Sequence, residues 1–245
     1  MAIGNGREDS EDKFSSNRHE QAYGTLVSML LSGSFEPNTR LTEAELTQML
    51  NVSRGTIRSV LVRLAREGYV TSEVNRGVRT RLFSVADAID ILEAREVLEG
   101  ALAAKAAERA TQGELDDLAR TVAVMREAQL KGDPDEYSRQ NRKFHQQIRE
   151  AAHQETLARF CDALLYPLVM RQYRELAGPH PRPGSLEEHQ AILSAIITRN
   201  AEAASAAMRH HISSVRQSRL LRHPRDASDP GPAQPNARPA ASKVR

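Results

Sequence analysis

The sequence predicts a mainly α-helical chain of two parts, an N-terminal winged helix-turn-helix and a C-terminal all-α antiparallel helical bundle. Three observations predict it. Residues Leu41 to Thr80 spell two short capped helices, a glycine stop and a hairpin in one continuous order. From Ser84 to about Leu221 helix-start signals recur with no strand pattern between them. Tryptophan is absent and aromatic residues make up only 4% of the chain, while alanine, leucine and arginine are plentiful, as in helical proteins.

A first helix is expected from about Arg18 to Leu31, with Leu26, Val27 and Leu30 supplying its core. Thr42 and Glu45 form a T-x-x-E pair that opens the next helix, because the threonine oxygen accepts an orphan amide and the glutamate reaches back. Its apolar set Leu46, Met49 and Leu50 falls at i, i+3 and i+4, and it stops at Asn51, which tolerates the left-handed conformation of a tight turn. Ser53 caps the following helix, in which Ile57, Val60, Leu61 and Leu64 form the buried stripe. Gly68 ends it. Tyr69, Val70 and Ser72, the turn Asn75-Arg76-Gly77, then Val78, Thr80 and Leu82 read as a hairpin, the wing. A helix that enters the major groove N-terminus first brings Ser53, Arg54, Thr56 and Arg58 nearest the base edges and phosphates. Arg63 and the wing tip Asn75, Arg76 and Gly77 complete the expected DNA contacts.

In the second part, Ser84 with Asp87 begins a helix to about Arg109, and Thr111 with Glu114 another to about Lys131. Asp133-Pro134 with Glu136 begins a third, with proline at the first helical position, where its missing amide costs nothing. A fourth is expected from about Gln154 to Leu176, kinked or split at Pro167. Ser185 with Glu188 opens a fifth to Arg199, and Asn200 caps the last, to about Leu221. Residues 1–16 and 223–245 lack periodicity and are expected to be disordered tails, leaving domains at 17–82 and 84–222.

The net charge of +2 is unevenly spread: residues 15–82 carry nine arginines against six glutamates, a modest excess for a DNA reader. Two copies are therefore expected to be needed for useful affinity, hence a homodimer on a palindromic operator. One cysteine, Cys161, forms no internal disulfide, and no apolar run approaches the length of a membrane span. Both point to a cytoplasmic protein without a membrane partner.

Among eight histidines, His145, His189 and His211 fall at notable places. Asn141 precedes His145 by one helical turn on the same face, a spacing that suits two ligands of one metal. His189 lies near the start of the fifth helix of the bundle and His211 in the middle of the sixth, so antiparallel packing of those helices brings the two together. Apolar neighbours such as Phe144, Ile148, Ile192 and Ile212 argue for burial.

The segment Gly33 to Thr80 resembles the DNA-binding domain of the GntR family of bacterial transcription regulators. The resemblance is carried by the lead-in LLSGSFEPNTRLTEAEL, the core VSRGTIRSVLVRLAREGYV and the wing tip NRGVRT. Asn38 stands where that family usually has glycine, and Ser59 also departs from its pattern. The region from Ser84 to Leu221 is similar to the FCD effector domain of the FadR-type subfamily, on AREVLEGALAAKAAERA, NRKFH and EHQAIL with the later AMRHH. The resemblance implies a divalent metal held by an Asp or Asn and three histidines at the base of a ligand cavity, here Asn141, His145, His189 and His211. A neutral amide is a weaker ligand than a carboxylate, so metal affinity is expected below that of an aspartate version; imidazoles suit a Zn, Ni, Co or Mn class ion. Open coordination positions would take the carboxylate of a small organic acid, and Arg95 holds a family position facing the cavity or its rim, where it can pair with that carboxylate. The alternative for Arg95 is a surface salt bridge with Glu99 at i+4. Arg139, Arg142 and Arg171 are further candidates for the effector.

The implied function is a ligand-responsive transcription regulator, usually a repressor, and not an enzyme. Two other readings compete with it. A helical-bundle metalloenzyme lacks an H-E-x-x-H motif and a glutamate at general-base spacing. A metal-free regulator that senses a bulky acyl-CoA is disfavoured by the three histidines.

Overall fold

A computed structural model of the chain describes residues 8–73, 77–172 and 181–219. The N-terminal part comprises α1 (Glu8–Ser32), β1 (Arg40–Leu41), α2 (Glu43–Leu50), α3 (Arg54–Arg66), β2 (Val70–Glu73) and β3 (Gly77–Thr80). The two helices after α1 begin where their caps predict. Thr42 accepts from the Glu45 amide, and Ser53 accepts from the Thr56 amide. Asn51 turns the chain between them at φ 52°, ψ 48°, and Gly68 follows α3 at φ 82°. Leu26, Leu30, Leu46, Ile57, Val60 and Leu64 form the core of this head.

Two features of the head depart from expectation. α1 starts at Glu8 rather than near Arg18, because no glycine or proline stands in residues 8–18 to stop it. The wing hairpin is also one strand short of the real sheet: β1 adds to its edge, in the antiparallel order β1-β3-β2, with Arg40 opposite Arg79 and Leu41 opposite Val78. In the hairpin itself Val70 faces Thr80 and Ser72 faces Val78, and the returning strand ends at Thr80, short of the exposed Leu82.

The C-terminal bundle runs through α4 (Val85–Arg109), α5 (Gln112–Lys131), α6 (Pro134–Ala151), α7 (Glu155–Asp162), α8 (Tyr166–Gln172), α9 (Ser185–Ile197) and α10 (Ala201–Arg219). Reciprocal capping boxes, Ser84 with Asp87 and Thr111 with Glu114, start the first two, and Asp133 caps the third with Pro134 just inside. The fourth predicted helix is two. The chain breaks at Leu165, whose φ is +55°, and restarts with Pro167 in the first turn of α8, where a missing amide is harmless. Residues 173–180 and the C-terminal tail lie outside the described residues. Gly184, not Ser185, takes the position before α9, in the left-handed conformation and with no side-chain cap. Ser185 is instead buried and accepts a hydrogen bond from the Tyr137 hydroxyl at 3.1 Å. Asn200 does cap α10, accepting from the Ala203 amide at 3.0 Å.

α10 lies along α4 and α9, and the close approach to α4 passes over Gly100, where a Cβ would stand 2.7 Å from Cγ of Arg209. Tyr137, Phe144, Ile148, Ile192, Met208 and Ile212 pack into one core with Leu92 and Leu118. Tyr69 and Leu168 pack against this core and against that of the head, so the two parts share a boundary.

The left-handed turn at Asn51 yields a test. Asn51→Ala should destabilise the protein by about 1–2 kcal/mol, the cost of holding an L-residue in that conformation, whereas Asn51→Gly should cost little. Urea unfolding measures both, and equal losses would show that the side chain rather than the backbone sets the turn.

Candidate metal centre and nucleic-acid interface

α6, α9 and α10 each deliver one histidine to the same buried point. His145, His189 and His211 are each under 5% exposed, and one ring nitrogen from each lies within 4.8 Å of the others. Ring centroids are 5.7 Å apart for His145 and His189, 5.2 Å for His145 and His211, and 4.4 Å for His189 and His211. Phe144 and Tyr137 stand edge-on to His189 and close the apolar side.

The outer partners fix which nitrogen faces inward. Nδ1 of His145 is 2.6 Å from Oε2 of Glu99, and Nδ1 of His211 is 2.8 Å from Oε2 of Glu188. Nδ1 of His189 is 2.5 Å from the Ser185 carbonyl, one turn back on its own helix. A carboxylate or carbonyl oxygen only accepts, so each Nδ1 carries the proton and each Nε2 presents a lone pair. Nε2 of His189 is buried and has no hydrogen-bond partner. Convergent, unprotonated imidazole nitrogens with an orphaned member fit a divalent cation of the class that nitrogen ligands favour.

Electrostatics keep the rings neutral. Burial lowers the His145 pKa from 6.5 to about 4 against the opposing pull of Glu99. Burial, then the neighbouring His211 and His145, push His189 well below the ordinary range, and burial lowers His211 as well. The two glutamates are charged. Burial raises Glu99, but the Arg95 guanidinium and His145 outweigh it and hold the carboxyl well below its usual range. Burial likewise opposes ionisation of Glu188, and hydrogen bonds with His211 and Arg182 prevail. Arg182 pairs with Glu188 as Arg95 pairs with Glu99, so two of the three histidines are each backed by a glutamate and then an arginine. Burial and the Glu99 charge raise the Cys161 thiol to about 12, which keeps it protonated beside this cluster.

The other expected members are placed as follows. Asn141 is half-buried on α6, one turn before His145. Arg95 is not on the surface: its pair with Glu99 is buried, and its Cζ lies 3.6 Å from the centroid of the Tyr166 ring. Arg139 is exposed and pairs with Glu136, while Arg171 points away from the histidines toward the end of α1. His210 is largely exposed beside the buried His211.

On the head, Ser53 and Thr56 stand together at the start of α3, their hydroxyl oxygens 2.9 Å apart, with Arg54 exposed beside them. Arg58 is also exposed and donates from Nε to Glu43 of α2 at 2.9 Å. Arg63 departs from the expectation. It lies on the flank of α3 that meets α1, donating to Glu20 at 2.6 Å and to Glu67 at 3.0 Å, with its Cζ 3.6 Å from the Tyr23 ring centroid. The i+4 spacing to Glu67 and the position of α1 give it a packing role that helix periodicity in one segment does not reveal. Asn75 and Arg76 lie outside the described residues, and Gly77 begins β3 at φ 80°. Arg40 and Arg79, not expected as contacts, are cross-strand partners on β1 and β3. Like charges directly opposite weaken a strand pair unless an anion lies against them. No sequence signal marks a two-residue strand, so the pairing shows only in the folded sheet.

Residues 90–214 match the FCD domain family, and residues 18–80 match the family described as bacterial regulatory proteins, gntR family. A putative L-lactate dehydrogenase operon regulatory protein of Escherichia coli K12 is 31% identical over 196 residues, covering 71% of this chain and 74% of that protein. The chain belongs to the GntR family. Another relative, the Uxu operon transcriptional regulator of E. coli K12, is 27% identical and covers 84% of this chain and 88% of its own. Among solved structures, E. coli McbR/YncC has the same fold at a TM-score of 0.66 and 22% identity, covering 83% of this chain and 95% of that one. This GntR protein is therefore a DNA-binding transcription regulator with an FCD effector domain, and its relatives are regulators rather than enzymes. Among the described residues no helix is long and apolar enough to cross a membrane.

Two outcomes follow from this geometry. Metal-stripped protein should lose thermal stability as pH falls from 6.5 toward about 4, since unfolded imidazoles take up protons that the buried His145 refuses. A melting temperature flat across that window would contradict the burial of neutral rings. Arg63→Ala should lower the stability of the head by roughly 1 kcal/mol through lost packing and pairing with α1, and an unchanged unfolding midpoint would return Arg63 to the DNA face.

Proposed function

We propose that this GntR regulator is a cytoplasmic homodimer and a repressor that responds to a small organic acid through a metal in its helical domain. The convergence of three unprotonated histidine nitrogens, one of them orphaned and buried, is the observation that carries this reading. His145, His189 and His211 would hold an ion of the Zn, Ni, Co or Mn class, with the Asn141 amide as fourth ligand; the ion would supply open positions for a carboxylate. Arg95, buried one glutamate away from His145, would exchange its Glu99 partner for the same carboxylate. A relative named for an L-lactate dehydrogenase operon fits an organic acid as the signal.

The output is DNA. Ser53, Arg54, Thr56 and Arg58, with the wing at Gly77 and its neighbours Asn75 and Arg76, would read double-stranded DNA, two heads spanning a palindromic operator. Arg58 exchanges its Glu43 partner for a phosphate or base edge as it docks. The head at 17–82 and the bundle at 84–222 serve as the two working units. An effector changes operator binding only by favouring one arrangement of the heads over another.

Zinc titrated into chelator-treated protein should bind one ion per chain by calorimetry, His189→Ala should abolish that binding, and Glu188→Gln should weaken it roughly 10–100-fold. Wild-type affinity in the His189 variant would overturn the metal reading. Arg54→Ala or Arg58→Ala should each cost about 1–3 kcal/mol of operator binding with folding intact; unchanged gel shifts would remove α3 from the groove. Thermal-shift screening of small organic acids with and without metal should find stabilisers only when metal is present.

A further inference from the structure

α8 is short, yet its side chains reach both parts of the molecule. At its start, the Tyr166 ring lies under the Arg95 guanidinium. In its middle, Val169 is buried in the bundle core and Leu168 packs against both cores. At its end, Arg171 donates from Nη1 to the Leu30 carbonyl at 3.0 Å and from Nη2 to the Phe35 carbonyl at 2.7 Å. Gln172 pairs twice with the backbone of Phe83, accepting from its amide at 2.9 Å and donating to its carbonyl at 2.5 Å.

The Arg171 contact is made where a helix most needs it. The last carbonyls of α1 lack helical partners, and the helix dipole favours a cation there. Gly33, at φ 98°, turns the chain away from α1, and a Cβ at that position would stand 3.3 Å from the Arg171 guanidinium. The glycine therefore both makes the turn and leaves room for the arginine. α1 packs on α3, so a bundle side chain holds the helix on which the DNA-facing helix rests.

The opposite end of α8 meets Arg95, two contacts short of the histidine cluster. Glu99 bridges the Arg95 guanidinium and Nδ1 of His145, one carboxylate oxygen to each. Direct contacts thus run from His145 through Glu99, Arg95 and Tyr166 into α8, and from Arg171 and Gln172 into the head and the interdomain link.

We infer that α8 is the element that positions the DNA head on the effector bundle, with Tyr166 as its input and Arg171 and Gln172 as its output. This rests on the reading of Arg95 as the effector's partner. A carboxylate that engages the Arg95 guanidinium competes with Glu99 for it, shifts the cation over Tyr166, and so changes the seat of α8 on α1 and Phe83. By linkage, DNA that favours one head position changes carboxylate affinity by the same factor.

Hydrogen exchange on the full-length, zinc-loaded protein tests this at the amides of Gly33 and Ser34, which close the end of α1, and of Phe83, which donates to Gln172. Arg171→Met removes the output. The double variant Arg95→Met with Glu99→Gln removes the input while leaving no unpaired buried charge, and Tyr166→Leu removes it without touching the ion pair. Each input variant should speed exchange at these three amides by roughly tenfold, with α5 amides unchanged, although neither touches the head. Arg171→Met should do the same and leave zinc affinity by calorimetry within about twofold. Unchanged exchange at these amides in both input variants overturns the inference. Citrate titration of the wild type and the double variant reports separately on Arg95 as the carboxylate's partner: loss of citrate binding with unaltered amides sinks the α8 coupling alone, and altered amides without any citrate binding support the coupling alone.

Discussion

Three imidazoles buried side by side, each with its proton committed outward, constrain most of the bundle. Neutral rings avoid the cost of buried charge, but the Nε2 of His189 is buried with no partner, and an unpaired acceptor in the interior is costly unless a cation or donor meets it. Holding that arrangement needs three helices in fixed register and an acceptor behind each ring. α6, α9 and α10 supply the rings, α4 supplies Glu99, and α9 supplies Glu188 and the Ser185 carbonyl. Gly100 lets α10 come close enough to α4 for His211 and Glu99 to belong to one cluster.

The acceptors bring their own demands. Glu99 is charged and buried, a state that needs a cation in contact, and Arg95 provides it from one turn away on α4. Arg182 does the same for Glu188 from the segment before α9. Charge is thus balanced outward in steps, from neutral ring to carboxylate to guanidinium, and the Arg95 branch ends on Tyr166, the first residue of the helix that touches the head. The histidine cluster and the boundary between the two parts are in this way joined by contacts through one short helix, polar as far as the Tyr166 ring and carried on by the α8 backbone to Arg171 and Gln172.

How much of this the sequence discloses depends on the range of the interaction. Local chemistry was legible: Thr42, Ser53, Ser84, Thr111 and Asp133 each cap the helix they announce, and Asn51 takes the left-handed turn. The split at Pro167 followed from the missing amide of proline. His145, His189 and His211 could be proposed together because family resemblance supplied what spacing alone left open. Contacts between distant segments were not legible. Nothing near Arg63 in sequence shows Glu20 and Tyr23 waiting on α1, nothing near Arg40 shows Arg79, and nothing in α8 shows that Arg171 serves α1 rather than an effector. Arg95 illustrates both halves: the i+4 spacing gave its partner Glu99, but burial of the pair came from α8 and α6 closing over it.

A metal can be shared by the three rings only if the unprotonated Nε2 atoms face the centre. Long-range nitrogen–proton correlation of the imidazoles, recorded while zinc is added to chelator-treated protein, observes them directly. His145, His189 and His211 should begin as Nδ1-protonated tautomers, and their Nε2 resonances, and no others, should shift as one ion binds per chain. Nε2-protonated rings before zinc, or coordination through Nδ1, would contradict that arrangement.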